Sequence, residues 1–578
     1  MSGSASSSTE GVVPPHPPKL QHHASSNMEH VQRFGPHSNM VFHDEFGERP
    51  PARRIRELIG KPVIRQWIQG GKLYREPSAR EVPRFELFFD LLFVGIIHQL
   101  AESAIEEPGG IAVARFILTF YPSWSIWEEA RRYSNQSGTD DLVHRVWVLA
   151  GMICSMGYSA NASAIELHPS EEGEEGVVHD HTAVRAAVAF WLIIKLSRAL
   201  VLWFYAWKLP KFRTSQFLGG CAVFLPMFVY LPLIWVTSRR AQIIIATVGI
   251  CVDLCRIDAV FMYIGGRYLR WRTRREEERR IQAGEMRPED RSNPTSMLAM
   301  VQFKDGFRIP AINIEHSIER SGAFVVIVLG ELVMNLLYTA TKGEFGASPM
   351  FGKAALGLLV AWALNYLYMT PVEGPYPYEH AVRRSWFTGM MWSFLHWPLC
   401  ASLVLASSAS GEMVKHDEVE AGVKWYWGCG LGFSVLFMAI IDVLHKHMHP
   451  WRAERVPRDS WRRRTNTNIL YKSGSTDLQA VRFTIAVGGA LALMLFPLSA
   501  HRLSSTAMMG ISVAITWFIL IVNVLGQLPT NCDDPEVINT QSAPEPVVTQ
   551  LNRQETNTTG HRNVFTAVDD EFNVMSHT

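Results

Sequence analysis

The chain has 578 residues, of which 48% are hydrophobic and 19% are charged, and its formal net charge at pH 7 is +1. A net charge this close to zero indicates no strongly charged partner, and we expect no nucleic acid among its partners. Seven cysteines without paired spacing predict neither a disulfide framework nor a bound cofactor.

The two ends of the chain differ from its middle. Residues 1–52 and 528–578 are polar and lack apolar periodicity, which predicts two disordered tails. Residues 53–84 form a basic juxtamembrane segment. From residue 85 to 527, apolar blocks of about twenty residues recur between short charged connectors, and blocks of that length can cross a bilayer. We therefore predict an all-α polytopic membrane protein whose surroundings are the lipid bilayer.

The apolar blocks number twelve, so we predict about twelve transmembrane helices. Lys and Arg favour the cytoplasmic side of a membrane, and the basic connectors precede the first block and follow the sixth and the tenth. Both tails are therefore predicted to be cytoplasmic, with the plasma membrane as the favoured location. The predicted spans are 85–104, 111–131, 142–163, 183–207, 217–236, 241–264, 318–340, 354–371, 386–408, 425–446, 480–499 and 506–527.

The first block, RFELFFDLLFVGIIHQLAESA, contains the ionisable residues Glu86, Asp90, His98 and Glu102. Such residues are costly inside a membrane and tend to be functional. At 100° per residue all four fall within an arc of about 160°, and the large apolar residues occupy the opposite arc. This pattern predicts a charged side that faces the bundle interior or a wet cavity, and an apolar side that faces lipid.

The seventh block has a similar arrangement in the stretch IEHSIERSGAFVVIVLGELVMNLLY. Glu319 and Arg320 lie near its start, and Glu331 lies among Val, Ile and Leu. The spacing from Glu319 to Glu331 equals the spacing from Glu86 to His98. The stretches TDDLVHRVWVLAGM and PYEHAVRRSWFTGM also align, so a 6+6 parallel repeat is predicted, as in some transporters.

Other ionisable residues fall inside later blocks. Lys195 lies near the middle of the fourth block, where it is a candidate counter-charge for Asp90 or Glu331. Asp253 lies three residues before Arg256 in the sixth block, on the same helix face, where the two can pair. These residues are added to the candidate ion, proton or substrate site.

The run HKHMH is a weak candidate for a metal site, because His445 and His449 are four residues apart on one helix face. No carboxylate or cysteine stands nearby as a third ligand. A solvated cluster of histidines at the membrane interface is the favoured interpretation, and no metal is expected.

Three motifs together resemble the bacterial low-temperature-requirement A (LtrA) membrane family, and especially its longer fungal-type relatives. They are ELFFDLLFVGIIHQLAE, YSNQSGTDDLVHR and EHSIERSGAFVVIVLGE, and the resemblance extends over residues 81–527. It adds the connector residues Asp140, Asp141 and Arg145 to the candidate positions. The family name refers to growth in the cold, so the resemblance implies a type of membrane protein without assigning a reaction.

The favoured function is a secondary transporter or an ion- or proton-coupled permease that uses the buried carboxylates, because carboxylates and histidine can exchange protons within a bundle. The chain lacks the ATP-binding signature of a primary pump. The alternatives are an intramembrane lipid-modifying enzyme and a membrane sensor or scaffold. A transporter predicts acidic residues of the first and seventh helices around a partly wet cavity. An enzyme predicts a catalytic triad near one membrane face, and a scaffold predicts paired charges without a cavity.

Overall fold

The structure is a computed structural model of the chain. It describes residues 40–42, 62–69, 72–76, 82–137, 141–166, 177–255, 271, 274–285, 287, 308–340, 346–373, 378–447 and 475–525. The two predicted disordered tails lie almost entirely outside these residues, and so does most of the connector that follows the sixth span.

Twelve long helices run through the described part of the chain, and each overlaps one predicted span. Nine of them, among the described residues, are long and apolar enough to cross a membrane. The all-α membrane fold class is therefore confirmed. The helices are α1 (Arg84–Ile105), α2 (Gly110–Ser137), α3 (Leu142–Ala162), α4 (Val177–Lys208), α5 (Arg213–Tyr230), α6 (Arg239–Leu254), α7 (Ile314–Ala340), α8 (Pro349–Glu373), α9 (Trp386–Lys415), α10 (Ala421–Leu444), α11 (Ser475–Leu495) and α12 (Ser505–Leu525).

Short strands lie at the end of the bundle where α1 begins. β1 (Met40–Phe42) pairs in parallel with β3 (Lys72–Arg75), and β2 (Trp67–Gln69) pairs antiparallel with both β3 and β4 (Ile309–Pro310). Part of the predicted basic juxtamembrane segment therefore forms two strands of a small sheet. A second pair joins β5 (Tyr378–Glu379) to β6 (Lys446–His447). The first sheet ties the segment before α1 to the segment before α7.

The six helices α1–α6 and the six helices α7–α12 have the same order of neighbours. In the first set, α1 packs on α2 and α3, and the contacts continue from α3 to α4, α5, α6 and back to α2. In the second set, α7 packs on α8 and α9, and the contacts continue from α9 to α10, α11, α12 and back to α8. A duplicated six-helix unit predicts this correspondence. The two sets meet where α1 and α2 pack against α7 and α9.

Candidate functional site

An arginine from α7 is buried between two carboxylates of α1. Arg320 donates from Nη1 to Glu86 Oε2 at 3.1 Å and from Nη2 to Asp90 Oδ1 at 2.8 Å. Asp90 also accepts a hydrogen bond of 2.7 Å from Trp127 Nε1 on α2, and His316 Nε2 lies 3.2 Å from Glu86 Oε2. All five side chains are buried. The charges of the first and seventh helices therefore meet as ion pairs, and these residues line neither of the two cavities described below, in contrast to the partly wet cavity expected around the acidic residues of these helices.

The orientation predicted for α1 is wrong in part. Phe89 and Phe93, placed on the lipid side, are buried, whereas Phe88 is 62% exposed. Of the four ionisable residues, Glu86 and Asp90 are buried, the side chain of His98 is 43% exposed, and Glu102 is exposed. The buried side of α1 therefore holds carboxylates and aromatic rings together. An apolar arc on a membrane helix therefore does not by itself identify the lipid side.

His98 meets Glu331 of α7 further along the same interface. Its Nδ1 lies 2.5 Å from Glu331 Oε1, and Asn335 Nδ2 donates to the same carboxylate at 3.1 Å and to Ser407 Oγ at 2.8 Å. Glu331 is buried, as predicted. In the proposed repeat, His98 of the first half aligns with Glu331 of the second half. Two aligned positions of the halves therefore contact each other.

The partner expected for Lys195 is corrected by the structure. Its Nζ lies 3.6 Å from Glu129 Oε1 on α2 and 3.4 Å from Asp253 Oδ2 on α6, rather than against Asp90 or Glu331. The lysine is 2% exposed. Asp90 has Arg320 as its cation, while Lys195 points into a different interhelical space. The expected pairing of Asp253 with Arg256 involves a residue outside the described part of the chain.

Four charged residues of α2 belong to the same region, and the sequence analysis did not single them out. Arg131 donates to both oxygens of Glu128 at 2.7 and 2.9 Å, and Arg132 donates to Glu128 at 2.8 Å. Arg198 of α4 lies 3.4 Å from Glu129. In the sequence EEARR this run is typical of a solvated helix end, but both glutamates and Arg131 are buried. In the structure α2 continues past this run to Ser137, so the run does not lie at the end of the helix.

A cavity of about 170 Å³ lies among α2, α4, α6 and α9. Three carboxylates and two cations line it together with hydroxyl, thioether and aromatic groups. At 1.5 Å per residue, Glu128 is about 14 Å from the end of α2 and Lys195 is about 20 Å from the end of α4, so the cavity lies well inside the bundle. The lining residues are Tyr121, Trp124, Ser125, Glu128, Glu129, Arg132, Lys195, Asp253, Leu254, Met390, Met391, Ser393, Phe394 and Trp397.

Direct hydrogen bonds connect this cavity to the α1–α7 contact. Arg131, which holds Glu128 at the cavity wall, donates from Nη1 to Ser317 Oγ on α7 at 2.7 Å. Trp127, one turn earlier on α2, is the donor to Asp90. Helix α2 therefore contacts the cavity on one side and the buried ion pairs between the halves on the other.

The connector residues implied by the family resemblance have mainly structural contacts. Asp141 is the N-cap of α3, where its carboxylate accepts a hydrogen bond of 2.8 Å from the backbone N–H of His144. Such a cap satisfies a helix-end donor. Arg145 is exposed, with its guanidinium 5.7 Å from the ring centroid of Phe85. Asp140 lies outside the described residues.

The remaining candidates lie away from the cavity. Glu319 is exposed on α7. His445, expected to be solvated, is 1% exposed; its Nδ1 accepts from the backbone N–H of Ala381 at 3.1 Å, and its ring packs on His380. The side chain of His449 is not among the described residues. Within the described ranges, no group of three His, Cys, Asp or Glu side chains is placed to hold a metal ion.

The region places carboxylates and cations close together in a medium of low polarity. Charge-assisted hydrogen bonds of about 2.7–2.9 Å are strong, and Arg131 holds Glu128 at such distances. Lys195 lies between two carboxylates at longer distances, whereas Glu129 also contacts Arg132 and Arg198. Asp253 is therefore the carboxylate for which a proton or a cation would compete with the lysine, and its binding would add one positive charge to the cluster.

Comparison with known proteins agrees with the family that the sequence motifs indicated. Neither the curated proteins nor the solved structures returned a match. The family model for the bacterial low temperature requirement A protein (LtrA) matches residues 81–522, which include all twelve helices except the last residues of α12. On this match over most of its length, the chain belongs to the LtrA family of membrane proteins.

Proposed function

We propose that the protein is a secondary transporter for a small cation or a proton-coupled solute, and that its binding site is the cavity among α2, α4, α6 and α9. The observation that carries the proposal is the set of carboxylates and cations around one space inside the bundle. Charged side chains are costly within a membrane, and in known membrane proteins they mark ion or substrate pathways. A purely structural role would be served by paired charges without a cavity.

Lys195 is the proposed exchange group. It lies between Glu129 and Asp253, and both contacts are longer than a strong charge-assisted hydrogen bond. When a proton or a cation binds at Asp253, Lys195 shifts its contact to Glu129, and the cluster then carries one more positive charge than before. Tyr121, which donates to Asp253 Oδ2 at 3.0 Å, holds the carboxylate in place during this exchange.

In this proposal, ligand binding at the cavity is coupled to movement of one half against the other by side chains at the contact between the halves. Transporters built from repeats change access by moving one repeat against the other around a central site. Here Arg131 connects the cavity wall to Ser317 of α7, and Trp127 connects α2 to Asp90. A change in charge at the cavity therefore acts on side chains that bridge α2, α1 and α7.

The proposed orientation places both termini in the cytoplasm of a cell whose plasma membrane holds the protein. The basic segments before α1 and after α10 support this orientation. The cavity then lies in the cytoplasmic half of the bundle. Labelling of a single added cysteine in each tail, in intact and permeabilised cells, tests the orientation.

The experiment that tests the function measures ion flux into sealed vesicles that contain the purified full-length protein. Protons, Na⁺ and K⁺ are offered in turn, with wild type compared with Asp253→Asn and Lys195→Gln. Interactions with charged groups are worth about 1.5–3 kcal/mol, so we expect a protein-dependent flux that falls about tenfold or more in both variants.

The matched control is Asp442→Asn. Asp442 is also a carboxylate within a membrane helix, and it accepts a hydrogen bond of 3.1 Å from Arg482, but it is outside the cavity lining. We expect this variant to retain the wild-type flux. Flux no greater than that of empty vesicles for every ion, or an equal loss in the control and in the cavity variants that melt normally, contradicts the proposal.

A further inference from the structure

A second cavity lies among the first six helices, on the side of the polar cavity toward the start of α2. It has a volume of about 80 Å³, and its walls come from α2, α3, α4, α6 and the turn that follows α5. Most of the surface is hydrocarbon. The apolar side chains that form this surface include Leu118, Val184, Ala187, Val188, Leu233 and Ala246.

Arg115 lines this cavity and has no carboxylate partner among the described residues. Its guanidinium donates to two backbone carbonyl oxygens, that of Ile165 at 3.3 Å and that of Ser103. Its Nε is buried, and no hydrogen-bond acceptor for it occurs in the described ranges. A partly desolvated cation without a counter-charge is unfavourable, so an anion at this position would be stabilised.

A second hydrogen-bond donor in the cavity wall has no acceptor among the described residues. The hydroxyl of Tyr230 is buried, the side chain is 3% exposed, and no acceptor for it is present in the described part of the chain. The other polar groups of the wall are satisfied. Tyr158 donates to the carbonyl oxygen of Thr119 at 2.8 Å, and Gln242 donates to that of Val236 at 2.8 Å.

The position of Arg115 along its helix places it near a membrane surface. It lies five residues after the start of α2, and its two carbonyl acceptors belong to the end of α1 and to the residues just after α3. Arginine side chains near helix ends extend toward the headgroup region. The cation is therefore at headgroup depth, with the apolar cavity beside it.

We propose that this cavity binds an anionic amphiphile, that is, a hydrocarbon chain with a carboxylate or phosphate head. The head pairs with Arg115, and the hydroxyl of Tyr230 donates to an oxygen of the ligand. The volume is about half of the roughly 150 Å³ that holds benzene in an engineered cavity. The cavity therefore encloses the first carbons of the chain, and the remainder lies among membrane lipids. The lining of this cavity adjoins that of the polar cavity, since Trp191 donates to Ser125 Oγ at 2.9 Å, but the proposal does not depend on the proposed transport.

The test uses tryptophan fluorescence, because Trp191 lines the cavity and bromine quenches tryptophan on contact. Purified full-length protein in phosphatidylcholine nanodiscs is titrated with octadecanoic acid dibrominated at carbons 2 and 3 and, separately, with phosphatidic acid whose chains are brominated at the same carbons, because the cavity encloses only the first carbons of the chain. We expect saturable quenching by at least one of them. Saturation by the fatty acid identifies a free amphiphile as the ligand, and saturation by phosphatidic acid alone identifies a membrane lipid; both results support the proposal.

Three variants locate the site. Because charge-assisted contacts are strong, Arg115→Gln is expected to weaken binding about tenfold or more. Ala187→Phe fills the cavity and should remove the saturable component, as should Trp191→Phe, which removes the quenched ring. The matched control is Arg185→Gln, which removes an exposed arginine of α4 that does not line the cavity, and its affinity should equal that of wild type.

A comparison on the wild-type protein keeps the proposal testable if a variant fails to fold. The methyl ester of the same brominated acid has the same chain without the charge, and we expect it to bind about tenfold more weakly. Equal affinity for the acid and the ester, or saturable quenching that persists unchanged in Arg115→Gln, overturns the proposal. The same holds if neither brominated probe saturates.

Discussion

The two six-helix halves share an order of neighbours but have different interiors. The first half supplies most of the lining of both cavities described above, with α9 of the second half completing the polar one, and seven charged side chains of the first half lie in or beside the polar cavity. In the second half, the described interior combines small and hydroxyl residues with large apolar side chains, and its buried ionisable residues, such as Glu331, Lys353 and Lys424, line neither cavity. The charged residues are Glu128, Glu129, Arg131, Arg132, Lys195, Arg198 and Asp253, and the buried hydroxyl residues include Ser402, Ser407, Ser410, Ser434, Ser512 and Thr516.

The glycines show the same difference at atomic scale. In α10, a Cβ on Gly430 would lie 2.8 Å from the carbonyl oxygen of Ser402, and one on Gly432 would lie 2.7 Å from that of Ala490. Backbones approach this closely only where small residues permit it. In the first half, the corresponding contacts of Gly157, Gly220 and Gly249 are with aromatic side chains. The backbones of α9, α10 and α11 in the second half are thus closely packed, whereas most of the cavity lining comes from the first half.

The largest expected effect is at the contact between the halves. Arg320→Gln leaves Glu86 and Asp90 buried without the cation that both now contact. Breaking a buried ion pair by removing one partner costs about 3–5 kcal/mol, and we expect the free energy of unfolding to fall by that amount. Unfolding of the purified protein in mixed detergent micelles provides the measurement.

Arg384→Gln is the control for this substitution. Arg384 is exposed, and within the described part of the chain it donates to the carbonyl oxygens of Val443 and Leu444. Exposed substitutions usually change stability by less than about 0.5 kcal/mol. If the two arginine variants lose equal stability, the buried pairs contribute little and the halves are held together by other contacts.

An intermediate effect is expected within the closely packed half. Gly430→Ala forces the backbones of α9 and α10 apart, and overpacking of this kind costs about 1–3 kcal/mol. The comparison in the first half is Gly151→Ala on α3, where the new Cβ would lie 3.6 Å from Ile194, an ordinary contact. We expect no loss there, because alanine favours the helix over glycine. If Gly430→Ala and Gly151→Ala lower the free energy of unfolding equally, the two halves do not differ in how closely their backbones pack.

The smallest effect concerns the hydroxyl pairs between α9 and α10. Ser402 Oγ and Ser434 Oγ lie 3.0 Å apart. Hydrogen bonds between membrane helices average about 0.6 kcal/mol in double-mutant cycles, so the cycle with both alanine variants should give a coupling of that size. A cycle between Ser408 and Ser434, which do not contact each other among the described hydrogen bonds, should give none.

Much of the fold could be predicted because the membrane determines it locally. A span needs about twenty apolar residues, so each predicted span falls on a helix of the structure. The burial of Glu331 was also predictable, since apolar residues surround it in the sequence. The partner of Lys195 was not, because pairing depends on which helices are neighbours, and sequence spacing within one helix carries no such information.

The polar cavity was only partly predictable for two physical reasons. Protein interior and lipid are both apolar, so an apolar residue in the sequence can face either one. The sequence therefore could not show that Phe89 and Phe93 are buried inside the protein. The charges of Glu128, Glu129 and Arg131 come near the end of a predicted span, where water usually solvates such residues. Only the packing of α4, α6 and α9 around them makes the site.

The contact between His98 and Glu331 has a consequence for how the two halves relate. On a pseudo-twofold axis, a residue faces its own counterpart. In a homodimer of six-helix subunits that position would hold two identical side chains, and two carboxylates or two imidazolium ions would repel each other. Joining both units in one polypeptide lifts this restriction. The single chain can therefore place a base opposite an acid on its axis of symmetry, a combination that a symmetric dimer cannot form.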